Sequence, residues 1–250
     1  MRYFIHLTYK GSHYSGWQSQ PNAQGVQGVI EDRLSRILRS NIAIVGCGRT
    51  DTGVHASDYY AHFDTDAVVN DELVFRLNNF LPQDIAVYDI IPVEDHHHAR
   101  FNALRRSYIY NLHFQKNPFL QDRSFYYYKA KHFDVHRLNE MSELLLSYGD
   151  FYPFCKLHSD VNNYRCQLSR CHWKAIEGGY EMHISADRFL RGMVRLIVGA
   201  SLLYAEGKIQ LSGVKTAMDE QSRLEKNWSV PPQGLFLSKI EYPFIESSQR

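Results

Sequence analysis

Several features that would indicate a particular class of protein are missing from this sequence. None of its apolar runs approaches the ~20 residues that a membrane-spanning helix needs. Neither sign of charge dominates, because 28 Lys and Arg residues stand against 27 Asp and Glu residues. A general electrostatic attraction to nucleic acid is therefore not indicated, and any basic surface must be local. The first predicted strand follows Met1 directly, so no signal peptide and a cytoplasmic location are expected.

The sequence also lacks the cysteine pairs of ordinary zinc sites. It contains four cysteines, none of them in a Cys-x-x-Cys pair. The nearest approach to a metal-binding cluster is the set Cys155, His158, Cys166, Cys171 and His172. Its spacing favours isolated thiols, which stay reduced in the cytosol, so we expect neither a metal site nor disulfides.

The first half of the chain alternates between two periodicities. Apolar residues recur at every second position in strands and at helical spacing between them. The pattern predicts strands at 3–9, 42–45, 58–63 and 85–93 and helices at 26–38 and 73–80. Asn70 or Asp71 would cap the second helix. The resulting order is β-α-β-β-α-β, the split βαβ arrangement.

The second half repeats this order with longer insertions, one of which covers 156–170. Its predicted elements are strands at 108–114, 171–177, 180–186 and 234–242 and helices at 135–148, at 189–198 and from about Ser212. Gly178-Gly179 between two of the strands indicates a hairpin. We therefore predict an α+β fold of two similar units, 1–104 and 105–250, joined through a central mixed or antiparallel sheet flanked by helices, with a cleft between the halves.

The predicted helix at 189–198 lies in a stretch with three arginines. Arg188, Arg191 and Arg195 are spaced as on one helix face, which usually indicates a solvated face. Arg195 differs because apolar residues flank it on both sides. A partly buried arginine needs an anionic partner.

The most informative stretch is the glycine-rich run 46–56, Gly-Cys-Gly-Arg-Thr-Asp-Thr-Gly-Val-His-Ala, which follows an apolar strand. Its three glycines allow a sharp turn, and its one carboxylate, Asp51, stands two residues after Arg49. The sequence around Asp51 does not fit two known loops. An aspartic protease needs two Asp-Thr-Gly carboxylates, and a phosphate-binding loop needs a Gly-Lys-Ser/Thr that is missing. Two interpretations remain: a turn capped by Asp51, or an ionised aspartate that acts as nucleophile or general base.

Six sequence blocks, in order along nearly the whole chain, carry a resemblance to one family. The run Gly48-Arg49-Thr50-Asp51-x-Gly53-Val54-His55-Ala56 resembles the signature of the A-type tRNA pseudouridine synthases. The other blocks are Tyr9-x-Gly11-x-x-Tyr14-x-Gly16-Trp17-Gln18, His98-Ala99-Arg100-Phe101-x-Ala103-x-x-Arg106-x-Tyr108-x-Tyr110, Asp150-Phe151-x-x-Phe154, Phe189-Leu190-x-x-Met193-Val194-Arg195-x-x-Val198-Gly199 and Pro232-x-Gly234-Leu235-x-Leu237. The sequence departs from the family pattern at Cys47, where Ala is common, at 223–228, and at 230–233, where the family has Ala-Pro-Ala.

The resemblance implies a pseudouridine synthase fold and isomerisation of uridine to pseudouridine at positions 38–40 of the tRNA anticodon stem-loop. It implies a homodimer and no cofactor, since nothing is added or lost. The implied catalytic residues are Asp51, Tyr108, which stacks on the target base, and Arg195, which pairs with Asp51. The implied substrate-binding residues are Arg49, His55, Arg100, Arg105, Arg106, Tyr108 and Leu235.

Some alternatives stay open at this stage. Asp51 would attack the ribose or the base, or abstract a proton. Tyr108 and Leu235 would also serve as core residues. His55 and the histidine cluster 96–98, which could contact RNA, would equally be structural or merely exposed residues. A catalytically inactive protein that binds and remodels tRNA is the alternative function, although binding alone does not require a charged nucleophile.

Overall fold

A computed structural model describes residues 1–70, 72–157 and 161–245 of the chain. The chain divides into two compact units, Met1–Leu104 together with the C-terminal strand from Phe236, and Arg105–Leu235. The N-terminal part of the first unit consists of β1 (Arg2–Tyr9), α1 (Val26–Leu38), β2 (Ile44–Gly46), β3 (His55–Asp64), α2 (Glu72–Phe80) and β4 (Ile85–Val93). This is the predicted β-α-β-β-α-β order. Of the two predicted caps of α2, Asp71 lies outside the described residues, and the carbonyl of Asn70 accepts a hydrogen bond from the Leu73 amide.

The sheet of the first unit has the order β4-β1-β3, and the C-terminal strand β9 (Leu235–Glu241) extends it next to β3. β1 is antiparallel to both of its neighbours, and β2 pairs antiparallel with the end of β3. β9 runs parallel to β3, with Phe236 opposite His55. The sequence-based division placed this strand with the second half, but its pairing with β3 places it in the first unit.

Alternation and helical spacing explain why these segments form these elements. Phe4, Ile5 and Leu7 of the central strand β1 are fully buried. α1 turns one apolar stripe inward, with Val26, Val29, Ile30 and Leu34 all buried. The helix ends at Arg39, whose φ of 53° is a left-handed conformation that terminates helices.

The second unit contains β5 (Arg105–His113), β6 (Phe125–Tyr126), α3 (Val135–Leu146), β7 (Leu168–Ile176), β8 (Gly179–Ala186), α4 (Met193–Ala205) and α5 (Leu211–Asp219). Its sheet has the antiparallel order β5-β8-β7, with the short β6 parallel to β5. The predicted hairpin is present, and Gly178 lies in the turn between β7 and β8 with a φ of +71°. Both units thus combine a sheet with separate helices, and the α+β prediction is confirmed. No helix among the described residues is long and apolar enough to cross a membrane.

Both boundaries of the helix predicted at 189–198 are wrong, because α4 spans Met193–Ala205. α4 begins at Met193 rather than at Phe189. The residue before it, Gly192, has a left-handed φ of 71°, so the helix cannot extend further back through this residue. Arg188 and Arg191 therefore precede the helix, and the predicted arginine face does not exist. Arg195 is the third residue of α4.

α4 is the most deeply buried helix of the second unit. Eleven of its residues are buried. Its Gly199 faces the backbone of Trp228 so closely that a Cβ at this glycine would lie 1.8 Å from the Trp228 carbonyl oxygen. The absence of a side chain at position 199 therefore determines how closely residue 228 approaches the helix.

We expect Gly199→Ala to destabilise the second unit, since the added methyl group overlaps backbone that cannot rotate away. The expected cost is about 1–3 kcal/mol, measured as a lower midpoint of thermal unfolding. Gly213→Ala in α5 is the matched control, because no atom lies within 4 Å of its added Cβ. There the substitution should stabilise by about 0.5–1 kcal/mol, through helix propensity. Equal shifts of the two midpoints would contradict the role given to Gly199.

Candidate active site

The Asp51 loop connects β2 to β3 in the first unit. Asp51 is partly exposed, Arg49 is exposed, and Thr50 between them is buried at 8% exposure. The hydroxyl groups of Thr50 and Tyr9 are hydrogen-bonded at 2.8 Å. The buried threonine fixes the centre of the loop, so the two charged side chains on either side of it are presented outward.

A second segment, 11–17, holds the loop through backbone hydrogen bonds. The Trp17 amide donates to the Thr50 carbonyl at 3.3 Å, and the Gly53 amide donates to the Tyr14 carbonyl at 3.3 Å. Within the loop, the Val54 amide donates to the Asp51 carbonyl at 3.1 Å. The position of the Asp51 backbone thus depends on hydrogen bonds made by the backbone between Thr50 and Val54.

Two glycines make this approach possible. Gly16 has a φ of +86°, and a Cβ there would lie 2.2 Å from the Thr50 carbonyl oxygen. A Cβ on Gly11 would lie 1.9 Å from the Val54 carbonyl oxygen. Both contacts are with backbone atoms, which cannot give way as a flexible side chain can. Glycine is therefore required on the side of the supporting segment as well as within the loop.

The supporting segment is anchored to the turn before β4. The Tyr14 hydroxyl donates to the Asp84 carboxylate at 2.6 Å, and the Lys10 amide donates to the Asp84 carbonyl at 2.8 Å. Burial, and then the hydrogen bond to Asp84, raise the pKa of Tyr14. Tyr14 belongs to a block that the sequence analysis singled out. Asp84 carries no comparable signal, because its partner is 70 residues away along the chain.

His55 is the first residue of β3 and is buried, at 1% exposure. Its Nδ1 accepts a hydrogen bond from the Gly11 amide at 3.0 Å, and its ring stacks on Phe236 at 4.5 Å between centroids. The imidazole thus joins the supporting segment to β9 within the first unit. This is a structural role, and the contact of His55 with RNA stays a prediction.

In the second unit, Tyr108 lies on β5 opposite Ile184 of β8. The side chain is partly exposed, and its ring packs edge-to-face on Phe189 with centroids 5.1 Å apart. Edge-to-face packing fixes the plane of a ring. Tyr108 thus has a defined orientation and an accessible part.

Arg195 lies at the start of α4 and binds a nearby loop. Its Nε donates to the Val230 carbonyl at 2.7 Å, and the Val230 amide donates to the Arg195 carbonyl at 3.3 Å. The Tyr110 hydroxyl holds the next residue, Pro231, through its carbonyl at 2.8 Å. The departure at 230–233 therefore lies in the segment that positions this guanidinium. Leu235, which begins β9 after this segment, is buried at 5% exposure.

The predicted phosphate-binding arginines lie in different surroundings. Arg100 and Arg105 are exposed, and the guanidinium of Arg100 lies 5.7 Å from the ring centre of Phe101. Arg106 is partly exposed and donates to the Asp187 carbonyl at 2.8 Å within the second unit. The assignment of all three to phosphate binding stays a prediction.

Two histidines hold the turn that carries Arg100. Nδ1 of His62 accepts from the Ala99 amide at 3.1 Å, and Nδ1 of His98 accepts from the Arg100 amide at 3.1 Å. An imidazole can accept in this way only while that nitrogen is unprotonated. Burial, followed by the nearby charges of Arg2 and His98, lowers the pKa of His62 to about 4, while Asp64 opposes the shift. Burial also lowers the pKa of His98.

The cysteines do not form a thiolate cluster within the described residues. Burial raises the pKa of Cys166 and of Cys171 to about 12, so both are thiols at neutral pH. No group of three potential metal ligands occurs among the residues that the structure describes. His158, which the sequence analysis considered, lies outside them.

The turn that carries Arg100 should depend on pH through His62. The folded pKa of about 4 lies below the ordinary 6.5, so the unfolded chain takes up the proton first as the pH falls. Stability from this group is complete above pH 6.5 and is lost between about 6.5 and 4, with a slope of at most about 1.4 kcal/mol per pH unit. We expect His62→Gln to flatten the pH dependence of the free energy of unfolding in this window.

The control for this measurement is His136→Gln, which removes an exposed histidine on α3. Its pH profile should follow that of the wild type. A His62→Gln profile as steep as that of the control would contradict the role of the buried imidazole.

Comparison with known proteins places these features in a family. A family profile described as tRNA pseudouridine synthase matches residues 6–102 and 144–243. The chain is 43% identical to the tRNA pseudouridine synthase A of Azobacteroides pseudotrichonymphae, over 97% of each chain. It is 41% identical to the enzyme of that name from Porphyromonas gingivalis, again over 97% of each chain, and 37% identical to that of Hydrogenobaculum, over 96% of this chain and 99% of the relative.

These matches extend over both units, including β1, the Asp51 loop, α4 and β9. An α+β fold matched over 97% of the chain to enzymes of this name places the protein in the class of RNA-modifying isomerases. Within that class, the chain belongs to the tRNA pseudouridine synthase family.

Proposed function

We propose that this protein isomerises uridine to pseudouridine at positions 38–40 of the tRNA anticodon stem-loop, with Asp51 as the nucleophile. The observation that carries the proposal is the Asp51 loop. Its backbone is fixed by the segment 11–17, while Asp51 itself stays partly exposed. A fixed, accessible carboxylate in a chain matched over both units to a synthase family is what this chemistry requires.

The reaction rearranges bonds without a co-reactant. The bond between the ribose and the base nitrogen breaks, the base turns, and a bond forms between the same ribose carbon and a ring carbon. That ring carbon loses a proton and the released nitrogen gains one, so the atoms balance. Asp51 would form a covalent bond to the ribose or the base, or would take the proton, and all three roles need an ionised carboxylate.

Recognition of the target uridine is assigned to residues other than Asp51. A base must leave its stack to reach a pocket, which costs a few kcal/mol. In the proposed site Tyr108 stacks on that base, Leu235 supplies an apolar wall and Arg195 is the ionic partner of Asp51. Arg49, Arg100 and Arg106 would contact phosphates, which fix the register of the RNA.

The same proposal includes assembly and location. A homodimer would allow one subunit to hold the body of the tRNA while the other holds the target nucleotide. A reaction on tRNA, together with the expectation of reduced thiols, supports a cytoplasmic location. The support for both is the family match and the sequence, and each can be measured directly.

We expect Asp51→Ala to abolish pseudouridine formation, since removal of a nucleophile typically lowers the rate by at least about 10³-fold. The affinity for tRNA should stay within a few-fold. Pseudouridine mapping at single-nucleotide resolution measures the first, and binding of a labelled tRNA transcript measures the second. Asp66→Ala is the matched control, because Asp66 is an exposed aspartate of the same unit.

Each other outcome of this experiment has a distinct meaning. An active Asp51→Ala variant would overturn the role of Asp51. A wild-type protein that binds tRNA but forms no pseudouridine would favour the alternative of a binding and remodelling protein. Pseudouridine outside the anticodon stem-loop would overturn the proposed target positions.

Tyr108 offers a test of stacking that is separate from the chemistry. Tyr108→Phe keeps the ring and should leave the affinity for tRNA unchanged. Tyr108→Ala should weaken binding about 5- to 150-fold, which corresponds to ~1–3 kcal/mol for one stacked base. If Tyr108→Ala lowers the midpoint of thermal unfolding but leaves the dissociation constant unchanged, Tyr108 is a packing residue that supports Phe189.

A further inference from the structure

The aromatic-basic segment, which we define as residues 114–132 between β5 and α3, has no part in the proposed chemistry. Three large aromatic side chains in it are exposed, Phe119 at 80%, Tyr128 at 59% and Tyr126 at 43%. Isolated exposed apolar residues are common on protein surfaces, but three aromatic rings within ten residues are not. This concentration calls for a physical explanation.

The exposed rings stand on an ordered support. β6 pairs with the end of β5, and the Tyr127 amide donates to the His113 carbonyl at 2.8 Å. His113 also bonds through Nδ1 to the Ser124 hydroxyl at 2.8 Å, and Arg123 donates from Nε to the Phe119 carbonyl at 3.1 Å. The segment is therefore tied to the end of β5 through residues 124–127, and Arg123 connects Phe119 to this part.

The aromatic residues of the segment alternate between two faces. Phe125 and Tyr127 are partly buried and pack on Trp228, with ring centroids 6.0 and 5.5 Å from it. Successive residues of an extended chain point to opposite faces. Tyr126 therefore faces solvent because its neighbours Phe125 and Tyr127 fill the inner face, and Tyr128, the first residue of a short 3-10 helix, is exposed beside it. Phe125 and Tyr127 pack on the core at Trp228. Core packing therefore does not explain the outer pair, Tyr126 and Tyr128.

The segment is basic in a protein that is otherwise close to neutral. It contains four cationic residues, Lys116, Arg123, Lys129 and Lys131, and one acidic residue, Asp122, whereas the whole chain has a net charge of +1. All four cationic residues are exposed. Glu206 lies 3.4 Å from Lys129 and neutralises part of this charge. Exposed rings between cations are the pattern of a surface that stacks on bases and neutralises phosphates.

The segment begins at the far end of β5 from the residue proposed to stack on the target base. His113 is five positions after Tyr108, which places the two residues about 17 Å apart along the strand. A ring at the His113 end cannot touch a base that is stacked on Tyr108. Any RNA contact there involves other nucleotides.

We propose that the aromatic-basic segment is an auxiliary RNA-binding surface, on which Phe119, Tyr126 and Tyr128 stack against unpaired bases of the RNA outside the target nucleotide. Lys116, Arg123 and Lys131 bind the adjoining phosphates. This inference rests on the proposed function for the identity of the substrate as RNA. It adds a second contact region, which supplies affinity and register and takes no part in bond rearrangement.

The test measures the dissociation constant of a labelled, unmodified tRNA transcript for the full-length protein. Phe119→Ala and Tyr128→Ala should each raise it about 5- to 150-fold, while Tyr128→Phe, which keeps the ring, should stay within about 2-fold of the wild type. Phe75→Ala is the matched control, since Phe75 is an equally exposed aromatic residue (68%) on α2 of the first unit. It should leave the dissociation constant unchanged.

The cationic part of the surface has its own measurement. Lys131→Ala should reduce the slope of log Kd against log salt by about 0.7–0.9, the value for one lost phosphate contact. A change in folding alone would not produce this shift in slope. Rates at saturating tRNA should remain near those of the wild type in all variants of the segment, because they change binding and not the reacting groups.

Three results would overturn the inference. The first is alanine variants that bind tRNA as the Phe75→Ala control does. The second is a salt slope unchanged by Lys131→Ala. The third is alanine variants that convert a dimer to monomers in analytical ultracentrifugation, which would identify the rings as a contact between copies of the chain. If the wild type binds no RNA, the proposed function fails as well, whereas failure of the segment variants alone leaves it intact.

Discussion

The candidate site depends first on a close approach between two stretches of backbone. Residues 11–17 lie against residues 50–54 at distances that exclude even a methyl group, as the would-be Cβ contacts of Gly11 and Gly16 show. Hydrogen bonds from Trp17 and Gly53 then fix the register of the two stretches. These bonds fix the backbone on both sides of Asp51, and the side chain of Asp51 is partly exposed.

In the second unit, too, a loop is fixed by close backbone contacts at a glycine. The loop at 228–231 is held against α4 at Gly199, where only glycine allows the approach, and again by the mutual hydrogen bonds of Arg195 and Val230. Tyr110 provides a third attachment. In each unit a loop is held in place by contacts with the structure around it. Loops held in this way can carry functional residues on a fixed scaffold. This arrangement tolerates the departure from the family pattern at 230–233, because the bonds to Val230 and Pro231 use backbone carbonyls.

The sequence was sufficient for the elements whose signals are local. β1, α1 and β4 were predicted almost to the residue, because alternation and helical spacing are read within one segment. The start of α4 was missed, since the left-handed conformation of Gly192 is a choice that the apolar pattern around it does not reveal. The place of β9 in the first unit was also missed, because a parallel strand about 180 residues from its partner leaves no local trace. Among the predicted site residues, Asp51 was singled out through its glycines, whereas the structural support from Asp84, His62 and Val230 depends on contacts distant in sequence.

The charge balance of the chain limits how it can bind a polyanion. Its net charge of +1 gives little long-range attraction, so affinity for RNA has to come from short-range contacts. Stacking on exposed rings is one such contact, and salt screens it much less than it screens ion pairs. A protein of this kind gains specificity from the same balance, because a nearly neutral surface binds non-target RNA weakly. In the proposed complex, the exposed arginines 49 and 100 and the aromatic-basic segment would be sufficient only where an RNA of matching shape engages several of them together, so that shape rather than charge would select the substrate.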